Sequence, residues 1–222
     1  MYSLTVVKAL IPRISVVLLG LAAGASCRTT GGDRPPQIIQ PGAPGKESRV
    51  IQTEQATDLS KVQFTPADVK FMQGMIHHHA QAIDMTALLP SRTASEDMKK
   101  LALRISVSQE DEIDMMRKWL SGRGQEVPGE HAHHMPGAPM MPGMLSPEEM
   151  AKLGEAKGAE FDRLFLEGMI KHHAGALTMV EELFSTAGAG QESEIFAFAS
   201  DVEADQRMEI DRMGAMLKEL QK

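Results

Sequence analysis

Aromatic residues make up only 4% of this 222-residue chain, with one Trp and one Tyr, and cysteine occurs once, at Cys27. Scarce aromatics count against a sheet-rich fold, because strands draw on aromatic and β-branched side chains. A lone cysteine excludes an internal disulfide, and its place near the N-terminus removes it as a nucleophile of a folded domain. No strand-turn-helix nucleophile motif stands out either, so no hydrolase is indicated. The apolar run "ISVVLLGLAAGA" at 14–25 is shorter than the roughly 20 residues a membrane-spanning helix needs. Basic residues are outnumbered 23 to 30 by acidic ones, a formal net charge of −7 that repels phosphate backbones and anionic lipid headgroups. Nucleic acid is thereby excluded as a partner.

Methionine, by contrast, is abundant at 17 residues, and unbranched Met, Leu and Ala suit helices. Residues 1–27 read as an export signal, with Lys8 and Arg13 ahead of the apolar run. Cys27 follows the small residues of "LAAGASC", in the manner of a bacterial lipoprotein site where it becomes the lipidated first residue, although Gly24 stands where such sites usually carry Leu. The alternative is ordinary cleavage after Ala25. Either way the mature protein is expected outside the cytoplasm, in the periplasm or on the outer surface, touching the membrane only through an N-terminal lipid. Cleavage takes away Lys8 and Arg13 and no acid, leaving 21 basic against 30 acidic side chains and a formal charge of −9.

Residues 28–64 are rich in Gly, Pro, Gln and Thr without periodicity and read as a flexible tether. The folded domain is expected over 65–222. Thr65 with Pro66 starts a helix that should reach Leu89 before Pro90; Ser95 caps a second that should run through Leu120. A Gly- and Pro-rich linker over 121–145 follows. "SPEE" at 146–149 offers a capping box for a third helix reaching about Phe184, bent or interrupted near Gly154 and Gly158. A fourth covers Glu192 to Leu220. The halves repeat: "FMQGMIHHHAQAIDM" at 71–85 aligns without a gap with "FLEGMIKHHAGALTM" at 165–179, and Gln109, Glu112, Ile113 and Met116 match Gln206, Glu209, Ile210 and Met213. Each half is a helical hairpin unable to bury its apolar stripe alone, so the expected fold is all-α, a ferritin-like four-helix bundle of two repeated hairpins.

At about 100° per residue, Phe71, Met75, His78, His79, Ala82, Met85 and Leu89 share one face of the first helix, and Phe165, Met169, His172, His173, Ala176, Met179 and Leu183 share one face of the third. His77 points away and is expected to face solvent, as does its counterpart Lys171. Four inward imidazoles either form a hydrogen-bonded layer, with methionine as core filler, or bind metal. The duplication of His-His with methionines at equal offsets favours metal. Thioether sulfur selects Cu(I), and by extension Ag(I), while imidazole also accepts Cu(II). The linker adds a secondary set, His131, His133, His134, Met135, Met140, Met141 and Met144, that could capture copper and pass it inward.

Two other readings stay open. A ferritin-like di-metal oxidoreductase would use the same histidines with Glu112 and Glu209. No expected helix contains Glu-x-x-His, and a hairpin turning around 90–95 sets Glu112 roughly 9–10 Å along the axis from His78. A metal-free domain would use the histidines as a structural or pH-responsive layer.

The pattern F-x-x-x-M-I-x-H-H-x-x-A-x-x-M, present twice, together with Q-x-x-E-I and "MPGMLSPEEMAKL", resembles the secreted CopM-like family, catalogued as domain of unknown function 305, over about residues 64–220. The resemblance implies a four-helix bundle in an exported bacterial protein, with copper binding and copper resistance among some members and no established activity for most. The ligands it implies are Met75, His78, His79, Met85, Met169, His172, His173 and Met179; His77 departs from the pattern. The expected function is a copper-binding, also silver-binding, buffer or chaperone that exchanges metal with a transfer partner and has no catalysis of its own.

Overall fold

The computed structural model describes residues 37–40, 48–53, 62–129 and 140–221. Cys27 and the rest of the expected signal, and His131, His133, His134 and Met135 of the linker, lie outside them. Within the stretch expected as a tether, Ile38–Gln40 (β1) pairs antiparallel with Arg49–Ile51 (β2), Ile38 opposite Ile51. This hairpin belongs to a unit ending at Thr53, and the helices form a second unit beginning at Glu54.

That second unit is a bundle of four long helices: α1 (Pro66–Ala87), α3 (Glu96–Gly122), α5 (Gly158–Ser185) and α6 (Ser193–Leu220), joined by the short helices α2 (Leu89–Arg92) and α4 (Pro147–Glu155). Capping sets the starts. The Thr65 hydroxyl accepts the Asp68 N–H while the Asp68 carboxylate accepts the Thr65 N–H, and Ser146 and Glu149 repeat the box at α4. Ser95 caps α3, and Glu192 caps α6 through the Ile195 N–H. Asp68 also accepts the Gly190 N–H at 2.7 Å, so the start of the first hairpin is tied to the turn of the second. Among the described residues no helix is long and apolar enough to cross a membrane.

One boundary differs from the sequence expectation. The first helix does not stop before Pro90: Leu88 keeps right-handed helical angles and α2 adds a further turn, with Pro90 in its first turn where the missing N–H costs nothing. The third helix is interrupted near Gly158, as its glycines suggest, with Ala156 and Lys157 extended and Gly158 at φ +59°, a value that disfavours any other residue.

The core falls into two apolar clusters. One joins Met72, Met75 and Ile76 of α1 to Ile113 and Met116 of α3, Met179 and Val180 of α5 and Phe198 and Val202 of α6. The other joins Ala82, Met85, Leu101, Ile105, Phe161, Phe165, Met169 and Met213. Met75 shares the first cluster with Met179 and Met85 shares the second with Met169, so α1 and α5 run antiparallel.

Candidate metal centre

On every long helix the residues between the two clusters are polar: His78 and His79 on α1, Gln109 and Glu112 on α3, His172 and His173 on α5, Gln206 and Glu209 on α6. The four histidines are fully buried. The rings of His78 and His172 have centroids 3.7 Å apart and planes tilted by 35°, and each is 6.2 Å from its sequence neighbour, His79 or His173. The sequence expectation of four inward imidazoles at one level describes this layer.

Each imidazole donates through Nε2. His79 Nε2 lies 2.5 Å from Glu112 Oε2, His173 Nε2 lies 2.6 Å from Glu209 Oε2, His78 Nε2 lies 3.0 Å from the Pro142 carbonyl and His172 Nε2 lies 2.9 Å from the His78 carbonyl. A carbonyl or carboxylate oxygen only accepts, so the proton sits on Nε2 in all four rings. All four Nδ1 atoms are buried without a hydrogen-bond partner. Burial, reinforced by repulsion from His79, holds His78 down at about 3, and burial with repulsion from His78 holds His172 well below its ordinary value. Both are therefore neutral at pH 7, and their Nδ1 atoms are bare lone pairs.

Glu112 reaches His79 directly, which corrects the axial offset expected from a turn at 90–95. The extra turn of α2 recentres the first hairpin on Ser95 and Glu96, bringing Glu112 level with His79. Glu209 also accepts the Arg104 Nε–H at 3.1 Å through its other oxygen. Burial pushes Glu209 upward, but the His173 bond and Arg104 outweigh it and hold the carboxylate below its usual range.

Sequence reasoning missed what closes the site. The end of the linker, Met141 to Leu145, lies as a strap across α1 and α5. Gln81 grips it with two bonds, its Nε2–H to the Leu145 carbonyl at 2.9 Å and its Oε1 from the Leu145 N–H at 2.7 Å. On α5 the repeat-related residue is Gly175, where an added Cβ would fall 1.9 Å from the Pro142 oxygen. The strap thus delivers the Pro142 carbonyl to His78. The signal for it was the divergence of Gln81 from Gly175 between the two aligned copies.

Met75, Met85 and Met169 are fully buried and Met179 nearly so. Of the linker set, Met140 is exposed, Met141 is half-buried, and Met144 is buried with its sulfur accepting the Met141 N–H at 3.3 Å. His77, expected to face solvent, is half-buried and lines a cleft beside α1, because the strap and the chain around Pro128 build walls over that side of the helix. Among the described residues no three His, Cys, Asp or Glu side chains are grouped to hold an ion. The donor chemistry nonetheless fits a soft metal. Buried Nδ1 atoms without hydrogen-bond partners, each on a ring oriented by a carbonyl or carboxylate at Nε2, are what outer-sphere support of metal-bound histidine requires. His78, His79, His172 and His173, with thioethers Met75, Met85, Met169 and Met179, are the side chains that would hold it.

A family model described as domain of unknown function (DUF305) matches residues 68–217. Among solved structures, a DUF305 fragment from Deinococcus radiodurans is 32% identical at a TM-score of 0.60, covering 70% of this chain and 98% of its own. A DUF305 protein from Streptomyces coelicolor assigned as secreted is 30% identical at 0.59, covering 69% and 92%. CopM in its Cu(I)-bound form is 29% identical at 0.54, covering 71% and 98%, and CopM in Cu(II)-bound and Ag-bound forms is similar as well. An uncharacterized protein of Acanthamoeba polyphaga mimivirus is 39% identical over 56 residues, 25% of this chain and 37% of the viral protein, so the chain spans little more than a third of that relative.

Proposed function

This chain belongs to the family described as domain of unknown function DUF305, and on that premise we propose that it is an exported protein binding copper, and silver as well, as a buffer or chaperone without catalysis of its own. The observation that carries the reading is the set of four buried imidazoles with Nε2–H committed and Nδ1 unpartnered. A purely structural histidine layer would pair those nitrogens, because each orphaned group costs about 1–3 kcal/mol in an apolar core. The dry thioethers around them favour Cu(I) over Cu(II). CopM, similar over most of its length, has Cu(I)-, Cu(II)- and Ag-bound forms. Export is supported by the leader-like N-terminus and by the relative assigned as secreted; anchoring through Cys27 and hand-over to a transfer protein belong to the same proposal.

A di-metal oxidoreductase on the same histidines fits less well. Glu209 has both oxygens engaged, by His173 and Arg104, and Glu112 is engaged by His79, so the carboxylates orient the imidazoles. The test is retention of Cu(I) or Ag(I) by residues 28–222 after challenge with a competing chelator, read by mass spectrometry of the metal. Replacing His78, His79, His172 and His173 by Gln, which keeps bulk and polarity, should abolish tight retention in the core. Unchanged retention would reject the site, and turnover of O₂ or peroxide by iron-loaded protein would replace the reading by the oxidoreductase.

A further inference from the structure

The outward face of α3 carries a stripe of its own. Glu96, Lys100, Leu103, Val107, Glu110 and Asp114 follow one another at steps of four and three, the spacing that keeps side chains on one face of a helix, and all six are exposed. The centre of the stripe is apolar, with Leu103 65% exposed and Val107 51%. Its ends carry opposite charge, Lys99 and Lys100 before the centre and Glu110 and Asp111 after it. Beside Leu103 a groove of about 270 Å³, lined in part by Ile83, Leu89 and Ala102, extends the apolar surface toward α1.

The second hairpin does without this stripe. On α6 the repeat-related residues are Ser200 for Leu103, Ala204 for Val107, Ala197 for Lys100 and Arg207 for Glu110, so the apolar pair and the order of charges are both absent there. A bundle helix of this architecture therefore does not need them to fold. One exposed leucine is ordinary. With an exposed valine one turn on, set between lysines and carboxylates, it has the form of a seam for another helix.

We propose that α3 pairs with the α3 of a second copy of this chain, antiparallel, about a two-fold axis at the level of Ile105. That operation sets Leu103 of one copy opposite Val107 of the other, Lys100 opposite Glu110 and Lys99 opposite Asp111, and makes each contact twice. Parallel pairing would set lysine against lysine and glutamate against glutamate, so the order of charges selects the antiparallel arrangement. Glu96 and Asp114 meet at the ends as like charges, but each has a cation in its own chain, Lys99 at 2.9 Å and Arg117 at 3.9 Å. Lys100 lies 3.4 Å from Asp97 with both side chains largely in solvent, a contact weak enough to be exchanged for one across the seam. The seam runs about 27 Å at 1.5 Å per residue, which suits a reversible dimer better than an obligate one. Glu112, which holds His79, is on the opposite face of α3, so pairing here does not depend on what the buried histidines bind.

Sedimentation velocity of the chelator-treated mature chain at low salt, over about 1 to about 300 µM, tests the pairing. The sedimentation coefficient should rise with concentration toward that of a dimer. Leu103→Ser with Val107→Ala gives α3 the residues that α6 already carries, so the variant should fold, and it should raise the dimer dissociation constant by about tenfold or more. Lys100→Glu and Glu110→Lys should each raise it by about tenfold, because the two-fold axis makes every like-charge contact twice. Combined, they should bring it back to within about threefold of the parent. A chain that stays monomeric throughout, or a dimer indifferent to the Leu103 and Val107 changes, would overturn the proposal. So would a combined charge exchange that leaves the dimer as weak as either single change. A monomer that cosediments with phosphatidylcholine vesicles, and releases them on Leu103→Ser, would overturn it by giving the stripe to a lipid surface.

Discussion

Acid should destabilise the metal-free protein well before its carboxylates are protonated. In the native state burial holds His78 at about 3, against 6.5 in the unfolded chain, so the unfolded state binds the extra proton first. The stabilising contribution is full above 6.5 and is lost as pH falls from there toward 3. Between about pH 7.5 and about pH 5 the unfolded imidazole protonates while the folded one stays neutral. At roughly 1.4 kcal/mol per unit over the part of that interval below 6.5, His78 alone should take about 2 kcal/mol from the stability. His172, lowered in the same direction, adds to the loss. Urea unfolding of chelator-treated protein, followed by far-UV circular dichroism at the two pH values, measures it. The variant carrying His78→Gln and His172→Gln has nothing to titrate at these positions and should show a flatter profile. A change below about 0.5 kcal/mol in the parent, or an undiminished one in the variant, would refute the assignment of these imidazoles as buried neutral bases.

Other changes probe the strap and the carboxylates. Gln81→Leu removes both bonds to Leu145 and leaves its buried N–H and carbonyl without partners, so urea unfolding should show a loss of about 2–4 kcal/mol. Gly175→Ala drives a methyl into the Pro142 carbonyl; limited proteolysis should cut the strap faster, with a stability loss of about 1–3 kcal/mol. Gly214→Ala is the contrasting case, mid-helix with nothing within 4 Å, and should raise the melting temperature through a gain of up to about 1 kcal/mol. Glu112→Gln keeps an acceptor for His79 but removes its charge, and Ag(I) affinity measured by competition should fall roughly 10- to 100-fold.

The helices were legible because their signals are local. Thr65, Ser95 and Ser146 cap where their spacing to Asp68, Met98 and Glu149 says they should, and the period of Met75, His78, His79, Ala82 and Met85 marks the inward face. The repeat made the bundle legible, because two unsatisfied stripes need one another. The register of α3 against α1 was not, since it depends on a single turn, Leu89–Arg92, that Pro90 seemed to forbid and that its place in a helical first turn permits. The surroundings of His77 were hidden for a related reason. Helical phase assigns a direction, but what stands in that direction is the strap and the chain near Pro128, supplied by tertiary structure. Gln81 looked like an ordinary polar residue until Leu145 was placed against it.

The contrast of Gln81 with Gly175 bears on why the two hairpins share one chain. Two separate identical hairpins associating around a two-fold axis would present the same residue on both sides, glutamine twice or glycine twice. Fusion lifts that constraint. One copy can keep the amide that holds the strap and the other can shed its side chain to let the strap's backbone through, so a single lid covers a site that symmetric halves could have covered only with two identical lids or with none.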